Sequence, residues 1–127
     1  MAWNIDAITT AALSAALTAG ASRQAAVASN IANAGTEGYV PLRLAFDATL
    51  EDARAALLER GSLDPSHISA MRGRLEPVLD AAGVPTRVQL DAEMAELAGN
   101  SVHFQALLQG LSRHLSILAI AAADGRK

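Results

Sequence analysis

LDAEMAELAGNSVHFQALLQGLSRHLSILAIAA, residues 90–122, is the longest ordered pattern in the chain. Leu90, Met94, Leu97, Ser101, Phe104, Leu108, Leu111, Leu115, Leu118 and Ala122 follow one another at intervals of four and three. That interval puts them on one stripe of a helix, the seam by which helices pair in coiled coils. The other side of the helix carries little that prefers water. Between Leu97 and Ala123, Arg113 is the only formal charge. An apolar stripe with a neutral back predicts a helix buried among several neighbours. A chain of 127 residues supplies few of them by itself.

The other end of the chain has the same character. From Met1 to Ala34 only Asp6 and Arg23 are charged, and Leu13, Leu17, Gly20, Gln24, Val27 and Ile31 keep the four-three spacing. This predicts a helix from about Ile5 to Asn33, with Gly20 and the alanines allowing close approach of a second helix. Asn33, Ala34 and Gly35 suit a helix end, because Asn and Gly tolerate the left-handed closing conformation. A turn follows through Gly38, and Pro41 bars continuation of the helix.

Between the ends lies a segment rich in charge, including Asp47, Glu51, Asp52, Arg54, Glu59, Arg60, Arg72, Arg74 and Glu76. Phe46, Leu50, Leu57 and Leu58 fit a short amphipathic helix ending at Gly61. Asp64-Pro65 opens a loop, and a further short helix is expected over Ile68 to Ala82, before a Gly83-Val84-Pro85 linker. The predicted fold is therefore mainly α. Long N- and C-terminal helices pair as a coiled-coil-like hairpin around a charged, partly irregular middle segment containing short helices. Its parts are residues 1–34, 35–87 and 88–127. The pairing seam is expected through Leu13, Leu17, Val27 and Ile31 on one helix, and through Leu90, Met94, Leu97, Phe104, Leu108, Leu111, Leu115 and Leu118 on the other.

Composition narrows the function classes. The chain is 51% hydrophobic but only 3% aromatic. Ala-rich helices bury little area per residue, so cohesion must come from long, close helix contacts. A net charge of −3 without a basic block argues against a nucleic-acid partner. With no cysteine, disulfide and thiol chemistry are excluded. The apolar run Ala7 to Ala21 ends in a small-x-small pattern like a cleavage site. However, Asp6 stands where a signal peptide has basic residues, and the core is Ala and Thr rather than Leu. The run is also too short and too weakly apolar to span a membrane, so it reads as a retained helix.

Candidate chemistry is sparse. His103 and His114 lie eleven residues apart on one helix. The helical rise separates them by roughly 16 Å, too far to share a metal. His67 has no second ligand nearby, and all three histidines read as structural or surface residues. Asp91, Glu93 and Glu96 stand in the first turns of the C-terminal helix, where carboxylates oppose the positive end of the helix dipole. No nucleophile elbow, P-loop or dinucleotide fingerprint is present, and Gly35-Thr36-Glu37-Gly38 is a turn. Neither an enzyme activity nor a cofactor or metal site is expected.

The stretch RQAAVASNIANAGTEGY, residues 23–39, is more specific. It resembles the N-terminal signature of bacterial flagellar rod and hook proteins, an N-I-A-N element followed by T-P-G-Y. Asn30, Ile31, Ala32, Asn33, Gly38 and Tyr39 carry the match, while Glu37 replaces the usual proline. VQLDAEMAELA at residues 88–98, with Asn100, Phe104-Gln105-Ala106-Leu107 and Leu111-Ser112, resembles the tail of the proximal rod branch of that family. Phe104 stands where tyrosine is common, and Pro65-Ser66-His67-Ile68 resembles a short element of the same branch.

This resemblance implies a structural subunit exported uncleaved through the flagellar type III export apparatus and polymerised in the periplasmic rod. It further implies that both terminal helices line the inner tube around the export channel. The implied neighbours are other copies of the chain, a FliE-like adaptor and a FlgC-like rod protein, with no direct membrane span. Phe46 and Leu50 resemble the F-x-x-x-apolar export-gate element; by spacing alone they are one face of a short helix. Other readings are a FlgC-like small rod protein, against which the Leu90–Leu97 sequence argues, and a helical adaptor or chaperone that binds a partner helix in a groove.

Overall fold

All four prolines fall between residues 41 and 85, which leaves both ends free for uninterrupted helices. A computed structural model describes residues 2–61, 65, 68, 71 and 73–125, with side chains described at all of these except 2–5, 47–51 and 53. The elements run α1 (Ala2–Ala32), β1 (Leu42–Ala45), α2 (Asp47–Arg60), β2 (Arg74–Pro77) and α3 (Leu90–Asp124). The fold is mainly helical, and the two long helices pack against each other, as expected.

The pairing is antiparallel. Asn30 meets Glu93, Gln24 meets Asn100, Gly20 meets Phe104 and Leu13 meets Gly110, so numbers fall along α1 as they rise along α3. At Gly20 the helices approach closely. A Cβ placed there would lie 3.0 Å from Phe104 Cδ2, so the missing side chain lets the ring lie directly against the α1 backbone. Past Ala32 the helix closes on Ser29, whose carbonyl accepts from both the backbone N–H and the side-chain Nδ2 of Asn33.

The middle departs from expectation in one respect. Of the span Ile68 to Ala82, the described residues 73–82 do not form a helix. They contain β2, paired antiparallel with β1 in the register Leu42 with Pro77, Arg43 with Glu76, Leu44 with Leu75 and Ala45 with Arg74. Pro77 explains the difference: it has no N–H to give and would break a helix there, whereas a strand end accommodates it. The chain then reverses in a turn held by Asp80, whose Oδ1 accepts from the N–H groups of Ala82 and Val84. Helix α2 forms where expected and ends at Gly61, although Leu57 and Leu58 are exposed. The side chain of Leu50 lies outside the described residues, as do Ser66 and His67.

The interior is thin. Among the described residues only Ala26, Val27 and Ile68 are fully buried hydrophobics, against three buried polar residues, Asn30, Glu93 and Asn100. Val102, Ile117 and Ile120 on α3 are each about two-thirds exposed. By length and composition α3 is apolar enough to cross a bilayer. Arg113 in its middle argues otherwise, since a charge near the bilayer centre costs about 2.5–3.5 kcal/mol even on the mildest scale. None of the most apolar stretch of α3 is fully buried within the chain.

The close approach at Gly20 is testable. Gly20→Val overpacks the contact with Phe104 and should destabilise the helix pair by about 1–3 kcal/mol. Gly20→Ala should cost less, because alanine recovers about 1 kcal/mol of helix propensity. Thermal denaturation followed by circular dichroism checks that order.

Candidate assembly junction

Asn30 is the most buried side chain described, with 1% of its surface exposed. Its amide has two N–H donors and two lone pairs, and all four are used. Nδ2 donates to the Leu42 carbonyl at 2.9 Å and to Glu93 Oε2 at 3.0 Å. Oδ1 accepts from the Leu42 N–H at 2.9 Å and from the Tyr39 hydroxyl at 3.0 Å. Toward Leu42 the side chain behaves as a neighbouring strand would, pairing with both backbone groups of one β1 residue. One asparagine thus ties α1 to the turn after it, to β1 and to α3.

The surrounding residues hold it in place. The Tyr39 phenol gives its one proton to Asn30, so the Ser29 hydroxyl, 3.2 Å away, donates to the phenol oxygen. Tyr39 is brought back over α1 by the turn at Thr36 and Gly38. The Thr36 N–H donates to the Asn33 carbonyl, the Tyr39 N–H donates to the Thr36 carbonyl, and Gly38 has a φ of 76°. With those bonds closing the turn, Glu37 lies exposed within it. Glu93, only 8% exposed, lies in the first turn of α3, where the helix dipole also favours its carboxylate.

A second polar layer lies further along the pair. Asn100 Nδ2 donates to the Gly20 carbonyl at 3.0 Å and to Gln24 Oε1 at 2.7 Å. Gln24 Nε2 reaches Ser101 Oγ at 3.4 Å, and Ser101 bonds back to the Leu97 carbonyl. Asn100 Oδ1 is buried without a partner among the described residues. Arg23 and Glu96 approach to 4.0 Å at a largely solvated edge, an arrangement that contributes little.

The expected seam residues divide into two sets. Leu13, Leu17, Val27 and Ile31 of α1 are all buried or partly buried, and so are Leu97, Phe104, Leu111 and Leu118 of α3. Leu90, Met94, Leu108 and Leu115 are instead about half exposed, between 46% and 54%. The positions that complete the face against α1 are Glu93, Asn100, Leu107 and His114. This set also follows the four-three interval, one residue back around the helix. Glu93 is therefore more than a dipole partner, and the signal for it was its place on that alternative stripe.

Of the remaining predicted residues, Asn30 is buried, Ile31, Asn33 and Tyr39 are partly buried, and Ala32 and Gly38 are exposed. Phe46 is partly buried just before α2, with its ring so close over Gly73 that a Cβ there would lie 2.8 Å from Phe46 Cε1. His103 is exposed, and partly buried His114 leaves Nε2 without a partner among the described residues.

Residues 11–39, from the middle of α1 through Tyr39, match the model of a protein family described as flagella basal body rod protein. No curated protein matches the chain. The match covers 29 of the 127 residues and marks this stretch as similar to that family.

The junction makes a specific exchange prediction. Asn30→Asp replaces the donor to the Leu42 carbonyl with an acceptor and sets a second carboxylate against Glu93. It should destabilise the chain by at least ~3 kcal/mol and expose the Leu42 amide to hydrogen exchange. Adding Glu93→Gln supplies a donor opposite the new carboxylate and should recover about 1–3 kcal/mol in a double-mutant cycle.

Proposed function

We propose that this chain is a proximal rod subunit of the bacterial flagellar basal body, of the FlgB type, polymerising through its terminal helices. The observation that carries the reading is the junction at Asn30. Residues of the N-I-A-N…G-Y signature, inside the stretch that matches the rod family, hold together the points where α1, β1 and α3 meet. The tail from Val88 to Ser112, which resembles the proximal rod branch, supports the finer assignment.

In this reading the helix pair forms the inner tube around the export channel, and side-by-side packing of neighbouring subunits carries torque. The half-exposed Leu90, Met94, Leu108 and Leu115, with the more exposed Val102, Ile117 and Ile120, are the surface that neighbours would cover. Each such side chain contributes about 1 kcal/mol when its remaining surface is buried, by the usual area scale. Association costs ~4–15 kcal/mol, so a stable position requires several neighbours at once, as a helical rod supplies.

The neighbours would be other copies of the chain, a FliE-like adaptor and a FlgC-like rod protein. The subunit would leave through the type III export apparatus without signal cleavage. Phe46 and Leu50 would be read by the export gate before folding, since Phe46 is covered beside Gly73 afterwards.

Purified alone at micromolar concentration, the chain should keep the helix pair but protect the amides of residues 2–32 and 90–124 only weakly, and those amides should become strongly protected on assembly. The tagged chain should also be recovered in isolated basal bodies with residues 2–32 intact by mass spectrometry. Uniform protection in an isolated monomer, with no recovery in basal bodies, would exclude the rod assignment in favour of a self-contained helical adaptor.

A further inference from the structure

The apolar rungs of the helix pair do not by themselves specify how α1 and α3 align. Leu97, Phe104, Leu111 and Leu118 repeat every seven residues, so sliding α3 by seven lays one large apolar side chain where another had been. Such a slide moves the helix by roughly 10 Å along its axis and keeps the leucine rungs in step. The partner face on α1, through Leu13, Leu17, Gly20, Gln24, Val27 and Ile31, keeps the same four-three spacing. Something other than hydrophobic burial must select one alignment.

We infer that Glu93 and Asn100, two buried polar rungs seven residues apart, set the register of the helix pair. Their chemistry differs, and so do their partners. Glu93 meets the amide donor of Asn30, whereas Asn100 donates to the carbonyl of Gly20 and to Gln24 Oε1. A slide in one direction brings the Glu93 carboxylate against the Gly20 carbonyl, two acceptors face to face. It also removes the partner on α3 from Asn30 and carries Phe104 toward Leu13. A slide in the other direction carries Phe104 onto buried Val27 and leaves Gln24 facing Leu107. Either slide takes the Phe104 ring off the glycine that admits it, and each leaves a buried polar group unpaired. A buried polar position in a helix seam fixes alignment in this way while contributing less stability than an apolar residue would.

The inference concerns the chain's own helix pair and does not rest on the rod assignment. The chain has no cysteine, so introduced pairs read the register directly. Leu13→Cys with Gly110→Cys bridges the observed alignment, since Leu13 Cδ2 lies 3.9 Å from a Cβ built at Gly110. Leu13→Cys with His103→Cys, or with Ile117→Cys, bridges the two slipped alignments.

In the otherwise unaltered full-length chain, oxidation should close only the 13–110 bridge within a monomer. Asn100→Leu or Glu93→Leu alone should raise the 13–103 or 13–117 bridge about tenfold, and the double variant should raise it further, toward equality with 13–110. The idea is overturned if the double variant still closes only 13–110. It is equally overturned if the unaltered chain closes no 13–110 bridge. Loss of helical circular dichroism in both single variants would also overturn it, because the polar rungs would then hold the pair together rather than align it.

Discussion

A single buried amide constrains more of this fold than any hydrophobic contact does. Asn30 lies where a helix ends, a strand begins and the returning helix starts, and it bonds to all three. The cost of burying an amide is large unless every polar atom finds a partner, which makes its surroundings interdependent. The Tyr39 hydroxyl must arrive from the turn, Leu42 must present both backbone groups, and Glu93 must face inward from α3. Removing any of these partners leaves the Asn30 amide short of a bond. The path of the chain out of α1 is thereby determined by polar saturation rather than by apolar burial.

The same constraint accounts for the face that α3 turns toward α1. Two stripes on α3 share Leu97, Phe104, Leu111 and Leu118, and both follow the four-three interval. The stripe completed by Leu90, Met94, Leu108 and Leu115 is the more apolar. The stripe completed by Glu93, Asn100, Leu107 and His114 is the one that packs. Asn30 and the buried carbonyl of Gly20 take polar partners from α3, and only the second stripe provides them. The leucines and methionine left on the flank then add to the apolar surface already carried by Val102, Ile117 and Ile120. Polar matching inside the hairpin and apolar exposure outside it arise from one rotation of the helix. With three fully buried hydrophobics among its described residues, the helix pair leaves much of its apolar surface uncovered.

The middle segment follows a different logic. Its prolines exclude long helices, and β1 and β2 make only a two-stranded sheet, which is marginal by itself. It is anchored at one end by the Asn30–Leu42 pairing and extended at the other by the Asp80 turn. Charged residues on this segment, such as Arg43, Arg74 and Glu76, are exposed or nearly so and keep it solvated. The middle is thus the polar, solvated part of the chain and the two long helices its apolar part.

The two long helices, their limits to within a few residues, and the poverty of charge along them were legible from periodicity and composition. These are local properties: proline position, helix propensity and four-three spacing act within a few turns of chain. Asn30, Gly38 and Tyr39 stood out as a motif, but nothing local told what the amide would bond to. The strand β2 was missed because a four-residue strand carries too little pattern to outweigh a helical reading, and its partner lies some thirty residues away. The rotation of α3 was hidden for a related reason. Hydrophobicity ranks Met94 above Glu93 for burial, and only the presence of Asn30 across the interface reverses that order. Periodicity by itself determined that there is a seam. Which side of the helix forms it depends on hydrogen-bond partners far apart in sequence, and only the tertiary structure brings those together.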